Sequence, residues 1–261
     1  MFKLGCDPEI FLRDASGALT ASCDKIGGSK WAPRPLPIGD GFAIQEDNVA
    51  IEFNIPPSSS SEEFQNNINS AMAYIRKEIA EIGLQLTNES AALFPPMELM
   101  YPAAQEFGCE PDFNAWTKGA INPRPSAEDK TLRSAGGHVH IGLDVLPSKK
   151  DALRLVKLMD LFCSVPAVRM DNGILRKELY GKAGAFRPKP YGLEYRTMSN
   201  FWVFDSRLID WVWQSTSLAM DAWQNNTINP DDDGEAILTA INTNNLEIAT
   251  QLIGKYNLMV V

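Results

Sequence analysis

Four short stretches set acids or histidines among β-branched and aromatic residues. They are KLGCDPEIFLRD (residues 3–14), GFAIQEDNVAIEFNI (41–55), GGHVHIGLD (136–144) and YGLEYRTMSNFW (191–202). Their partial alternation predicts strands. Successive side chains of a strand point to opposite faces, so a sheet built from these pieces has one face that carries ionisable groups between apolar neighbours. An ionised group there must meet an opposite charge, a metal or hydrogen-bond donors. That requirement limits both the fold and the chemistry.

Three segments have helical spacing instead. IPPSSSSEEF (55–64) reads as a stop followed by a capping box at Ser60 and Glu63, opening a helix that runs to about Gly83. Apolar residues recur at three and four across residues 148–169 and 205–225. AIQEDNVAIEF reads as a hairpin turning at Asp47-Asn48. The spacing of strands and helices suits α+β rather than a doubly wound parallel sheet. The chain reads as one domain, 1–261, with a helical tail at 226–261 that carries no recognised motif.

The net charge of −9 disfavours a nonspecific nucleic-acid binder, and no nucleic-acid partner is expected. No apolar run suits a membrane span, and MFKLGCDPEIFLRD lacks the order of a signal peptide. Cys6, Cys23, Cys109 and Cys163 are widely spaced and read as reduced thiols. The expected location is the cytoplasm, that of the host if the chain is phage-encoded. Oligomeric state is open.

His138 and His140 are the only histidines. Two apart on a strand, they share a face behind Gly136 and Gly137, which let backbone or a ligand such as a nucleotide or metal approach closely. The histidines read either as a metal or phosphate site or as two satisfied structural histidines. Glu9, Glu52 and Glu194 each lie between apolar neighbours. They read as convergent ligands for magnesium or manganese, or as separate ion pairs. Arg187, Lys189 and Arg196 surround Glu194, and Glu194 and Arg196 share a face. That grouping suits a metal beside a phosphate, the alternative being a surface ion pair. Lys30, in KIGGSK, is a candidate phosphate contact or part of a plain turn, since no Walker spacing is present. FGCEPDFNAW (107–116) reads as a substrate-covering loop or an ordinary surface loop. Asp112 and Asn114, with Arg133 at the head of the glycine-rich stretch, are the candidate substrate contacts.

Taken in order, GCDPEIFL, EDNVAIEFNIPP, FGCEPDFNAW, RSAGGHVHIGLD and AGAFRPKPYGLEYRTMSNFW resemble the phage-type COOH-NH2 ligases of the glutamine synthetase-like amidoligase superfamily. The resemblance implies a strongly curved, mostly antiparallel sheet with helices packed outside. It implies that Glu9, Glu52, Glu194 and His138 or His140 hold two or more Mg²⁺ or Mn²⁺ ions on ATP. It places Arg196 at the transferring phosphate and Arg187 at nucleotide or phosphate. Glu46 and Asp47 are additional oxygen donors without firm places. The implied reaction joins a carboxylate to an amine, of small molecules or peptides, through an acyl phosphate, with ADP released. The alternatives are a metal-dependent phosphotransferase or phosphohydrolase, and a catalytically dead binding protein of the same fold.

Overall fold

The structure is a computed structural model; it describes residues 2–105, 112–171 and 173–261. Six strands build the working part of the sheet: β1 (Phe2–Arg13), β2 (Ala43–Asp47), β3 (Ala50–Asn54), β4 (Gly137–Leu143), β5 (Ala185–Lys189) and β6 (Gly192–Tyr195). Their spatial order is β2-β3-β1-β4-β6-β5, with every neighbouring pair antiparallel. Short strands at Arg34–Pro35 and Phe113–Asn114 extend the two ends. The α+β expectation holds, and so does the hairpin at 47–48: Asn48 takes a left-handed φ of 55° between β2 and β3.

One face of this sheet is apolar. Leu4, Cys6, Ile10, Ile51, Phe53, Val139, Ile141, Leu193 and Tyr195 are all buried in the main core. Three long helices cover it: α1 (Ser61–Glu81), α2 (Lys149–Met159) and α3 (Ser206–Asn225), with α1 and α2 each packed on α3. α1 forms because Phe64, Ile68, Met72, Ile75 and Ile79 recur on one side and are buried together. Ser60 caps it by accepting from the Glu63 amide, and the Glu63 carboxylate reaches back to the Ser59 amide. The reciprocal bond thus falls one residue earlier than in the usual box. Phe64 stacks on Trp202 at 6.0 Å and meets Trp213 at 5.8 Å, joining α1 to the chain after β6. Burying each such ring contributes roughly 1.5–3 kcal/mol.

The segment read as a helix over 148–169 is not regular. After Met159 it passes into a π turn, Asp160–Ser164. Asp160 is fully buried there, and its carboxylate accepts from Tyr195 Oη (2.6 Å), Trp116 Nε1 (2.7 Å) and Thr197 Oγ1 (3.1 Å). Tyr195 and Thr197 flank Arg196, so this network fixes the end of β6 from behind. The tail forms α4 (Gly234–Asn242) and α5 (Leu246–Tyr256). No described helix is long and apolar enough to cross a membrane. Cys6, Cys23 and Cys163 are buried free thiols; Cys109 lies outside the described residues.

Candidate active site

The opposite face of the sheet is the charged one. Strand register puts the ionisable groups side by side. Glu9 of β1 pairs with Glu52 of β3, and Asp7 of β1 pairs with His138 of β4. His140 pairs with Glu194 of β6, and Glu194 in turn with Arg187 of β5. A cavity of about 660 Å³ opens over this face, and Glu9, Glu52, His138, Arg187 and Arg196 are among its lining residues.

Two clusters emerge. In the first, Glu9, Asp47 and Glu52 each bring an oxygen within 4.8 Å of the others. Gln45 Nε2 donates to Glu52 Oε1 at 2.7 Å, and the Gly136 amide donates to Glu9 Oε2 at 2.6 Å. Burial, and then repulsion from Asp47, pushes Glu9 up to about 7. Burial and the neighbouring acids Asp7, Asp47 and Glu9 push Glu52 well above the carboxylate range. Burial raises Asp47 as well, against the pull of Lys30 and Arg196. Three crowded carboxylates whose burial and mutual repulsion outweigh the cations around them have the donor chemistry of a hard divalent-ion site.

The second cluster is Asp7, His140 and Glu194, again within 4.8 Å. His140 Nε2 lies 3.0 Å from Asp7 Oδ2, while its Nδ1 meets the Tyr191 hydroxyl at 2.5 Å. A ring held at one nitrogen by a hydroxyl presents the other to a ligand in a fixed direction. Glu194 is fully buried. Its oxygens meet Lys189 Nζ at 2.7 Å, Arg187 Nη1 at 3.6 Å and Arg196 Nη1 in direct contact. Burial opposes ionisation of Glu194, but the Arg196 guanidinium outweighs it, helped by His138 and His140, and holds the carboxyl at about 2. His138 is pressed down to about 4 by burial and by Arg196, 3.3 Å from its Nδ1, so it is neutral at pH 7. Both histidines stand against Asp7, His138 Nδ1 lying 3.3 Å from its Oδ1, but His138 is the one that also meets Arg196.

The structure thus brings together Glu9, Glu52, His138, His140, Arg187, Lys189, Glu194 and Arg196, with Lys30 at the rim. Asp112 stands 3.7 Å from Arg196 Nε. Asn114 is elsewhere: it accepts from the Trp116 amide and donates to Ala183 O. Arg133 reaches the cavity wall while donating to Asn48 Oδ1 and to the carbonyls of Ala104, Lys130 and Leu132. Residues 107–111 of the expected covering loop lie outside the described residues. Glu46 points away from the acidic cluster and accepts from the amides of Asp24, Lys25, Ile26 and Gly27, at 2.7–2.9 Å.

Asp7 and Arg176, which line the cavity, and Tyr191, which holds His140, were not among the candidates drawn from sequence. Asp7 carried a usable signal, two residues before Glu9 on the same strand. Tyr191 lies in the β5–β6 turn. Arg176 is buried in a short 3₁₀ turn and donates to the carbonyls of Thr197 (2.9 Å) and Arg196 (3.3 Å). Its place depends on Gly181, where a Cβ would fall 1.8 Å from Arg176 Nη1.

The glycines of GGHVH do not open the strand to a ligand. A Cβ at Gly136 would lie 2.2 Å from His138 Nε2, and one at Gly137 would lie 2.2 Å from Ser199 O and 2.5 Å from Trp202 Nε1. They admit the histidine ring on one side and the chain after β6 on the other. Gly137→Ala is therefore expected to destabilise the fold by about 1–3 kcal/mol or more through overpacking against backbone. Chemical denaturation measures it; an unchanged midpoint would mean that residues 199–202 yield easily.

Fold and site together gather acids and guanidinium groups of one sheet face in one cleft. Residues 126–252 match the family described as Phage phiEco32-like COOH.NH2 ligase-type 2. The match holds both histidines, Arg187, Lys189, Glu194 and Arg196, and it extends into the helical tail. Asp7, Glu9, Asp47 and Glu52 precede it and reach the same cavity through the sheet. No curated protein matches the chain.

Proposed function

We propose that the protein is an ATP-dependent carboxylate–amine ligase that forms an amide through an acyl phosphate and releases ADP. The reading rests on the match of residues 126–252 to a COOH-NH2 ligase family, and the observation that carries it is the meeting of two acidic clusters and three cationic side chains on one cavity. Glu9, Asp47 and Glu52 would hold one divalent ion, and Asp7, His140 and Glu194 another. Bound ions supply charge neutralisation and orientation of the triphosphate.

A substrate carboxylate oxygen attacks the γ-phosphorus, and the bond to the β-bridging oxygen breaks. The amine nitrogen then attacks the acyl carbon; phosphate leaves, and the nitrogen loses a proton. Arg196 and Arg187 hold the γ-phosphoryl oxygens as charge shifts across them. Lys189 Nζ shares Glu194 with both, while Arg196 above all keeps that carboxylate ionised. Neutral His138 sets the position of Arg196 rather than adding charge.

The test is incubation with ATP, Mg²⁺ and pooled carboxylates and amines, read by mass spectrometry. ADP, phosphate and products one water lighter than the summed reactants are expected. Phosphate release without a condensed product would make the protein a phosphohydrolase. Absence of ATP binding would end the ATP-dependent reading.

A further inference from the structure

Trp31 is 83% exposed, yet it lines the cavity. An indole left in water at the rim of a charged cleft is an informative exposure. Its loop is held firmly. The Glu46 carboxylate accepts four consecutive amides, from Asp24 to Gly27. Arg34 Nε donates to Ile26 O, and Arg34 Nη2 pairs with Glu78 at 2.6 Å. Gly28 packs so closely that a Cβ there would lie 2.5 Å from Ile44 O. A two-way bridge between Ser29 and Ala32 closes the turn that carries Lys30 and Trp31.

The cavity is unequal in character. Its floor is made of the acids, histidines and arginines of the sheet, whereas Trp31 and Pro33 place apolar surface at one rim. Glu46 is the strand neighbour of Asp47, so the loop and the first acidic cluster share one rigid piece of backbone. A fitting ligand has a highly charged part for the floor and a flat apolar part for the rim.

We infer that Trp31 is the stacking platform for the nucleobase of ATP, taking the base on the face opposite Lys30, whose Nζ lies over the ring 5.5 Å from its centroid. This rests on the ATP-dependent reading above and adds the subsite that separates a nucleotide from a bare polyphosphate. Stacking on an aromatic face needs no particular base edge, and it adds affinity that a triphosphate alone does not gain.

The experiment is calorimetric titration of wild type, Trp31→Ala and Trp31→Phe with Mg·ATP and with Mg·tripolyphosphate. Because Trp31 is exposed, the variants should fold, which thermal melting checks. Trp31→Ala should bind ATP about tenfold or more weakly. Its affinity for tripolyphosphate should equal that of wild type, and Trp31→Phe should recover most of the loss for ATP. The inference is overturned if Trp31→Ala binds ATP as wild type does. It is equally overturned if wild type binds tripolyphosphate as tightly as ATP. If wild type binds neither, the ATP-dependent reading fails first and takes the platform with it.

Discussion

Glu52→Gln should raise the melting temperature of the metal-free protein and at the same time abolish most of its gain in stability from Mn²⁺ or Mg²⁺. Glu52 shares its space with Glu9 and Asp47, and burial penalises its charge further. An amide of the same shape removes one charge from that cluster and can still accept from Gln45 Nε2. In a chain of this size each 1 kcal/mol of relief moves the midpoint by roughly 2–4 °C. A neutral amide is a poorer ligand for a hard cation. Loss of an outer-shell partner alone weakens metal binding about 10–100-fold, so loss of a direct ligand should do at least as much. The stabilisation by added metal, which grows with the ratio of its concentration to its dissociation constant, shrinks accordingly. A variant that melts below wild type but responds normally to Mn²⁺ would make Glu52 a structural group.

The same crowding sets a pH dependence. Glu9 titrates at about 7 in the folded protein, above its ordinary 4.5. Between those values the folded chain keeps a proton that the unfolded chain has released. Stability of the metal-free protein therefore falls as pH rises through that window. Saturating Mn²⁺ should flatten the fall, because the ion takes the place of the proton.

The strands were readable because their period is two. Once Glu9, Glu52 and Glu194 are set between apolar neighbours, a strand can only put them on the face opposite Ile10, Phe53 and Tyr195. Which acids share an ion depends on register between distant strands, and no local pattern encodes that. Asp7 meets His140 through the β1–β4 pairing, 133 positions away along the chain. Arg176 carried no signal: its turn is short, and its partners are carbonyls twenty and twenty-one residues on. Gly136 and Gly137 carried a misleading one. Glycine signals a close approach, but what approaches here is the protein itself. The helix of 148–169 was legible as a helix, while its π turn was not, because Asp160 answers to Tyr195, Thr197 and Trp116.

Arg196 should divide the effects of substitution most sharply. Its Nη1 contacts Glu194, a carboxylate with no exposed surface. Arg196→Ala leaves that carboxylate with Lys189, the more distant Arg187 and the two histidines. Breaking a buried pair from one end destabilises by about 3–5 kcal/mol, because the remaining charge keeps its desolvation penalty. Glu194 should then titrate higher, since its largest stabilising partner is gone. Arg196→Lys keeps a positive charge near Glu194, so the fold should survive and divalent-ion binding should change little. A lysine cannot offer the planar fork that grips two phosphoryl oxygens at once. The loss should therefore fall on turnover, by about 10²-fold or more in kcat, with ATP affinity nearly unchanged. Measuring ATP binding and ADP formation on the lysine variant separates the roles. Weakened ATP binding with normal turnover at saturation would make Arg196 a nucleotide anchor. Wild-type values for both would leave Glu194–Arg196 as a structural pair, and the γ-phosphoryl would have to be held by Arg187 and Lys189 alone.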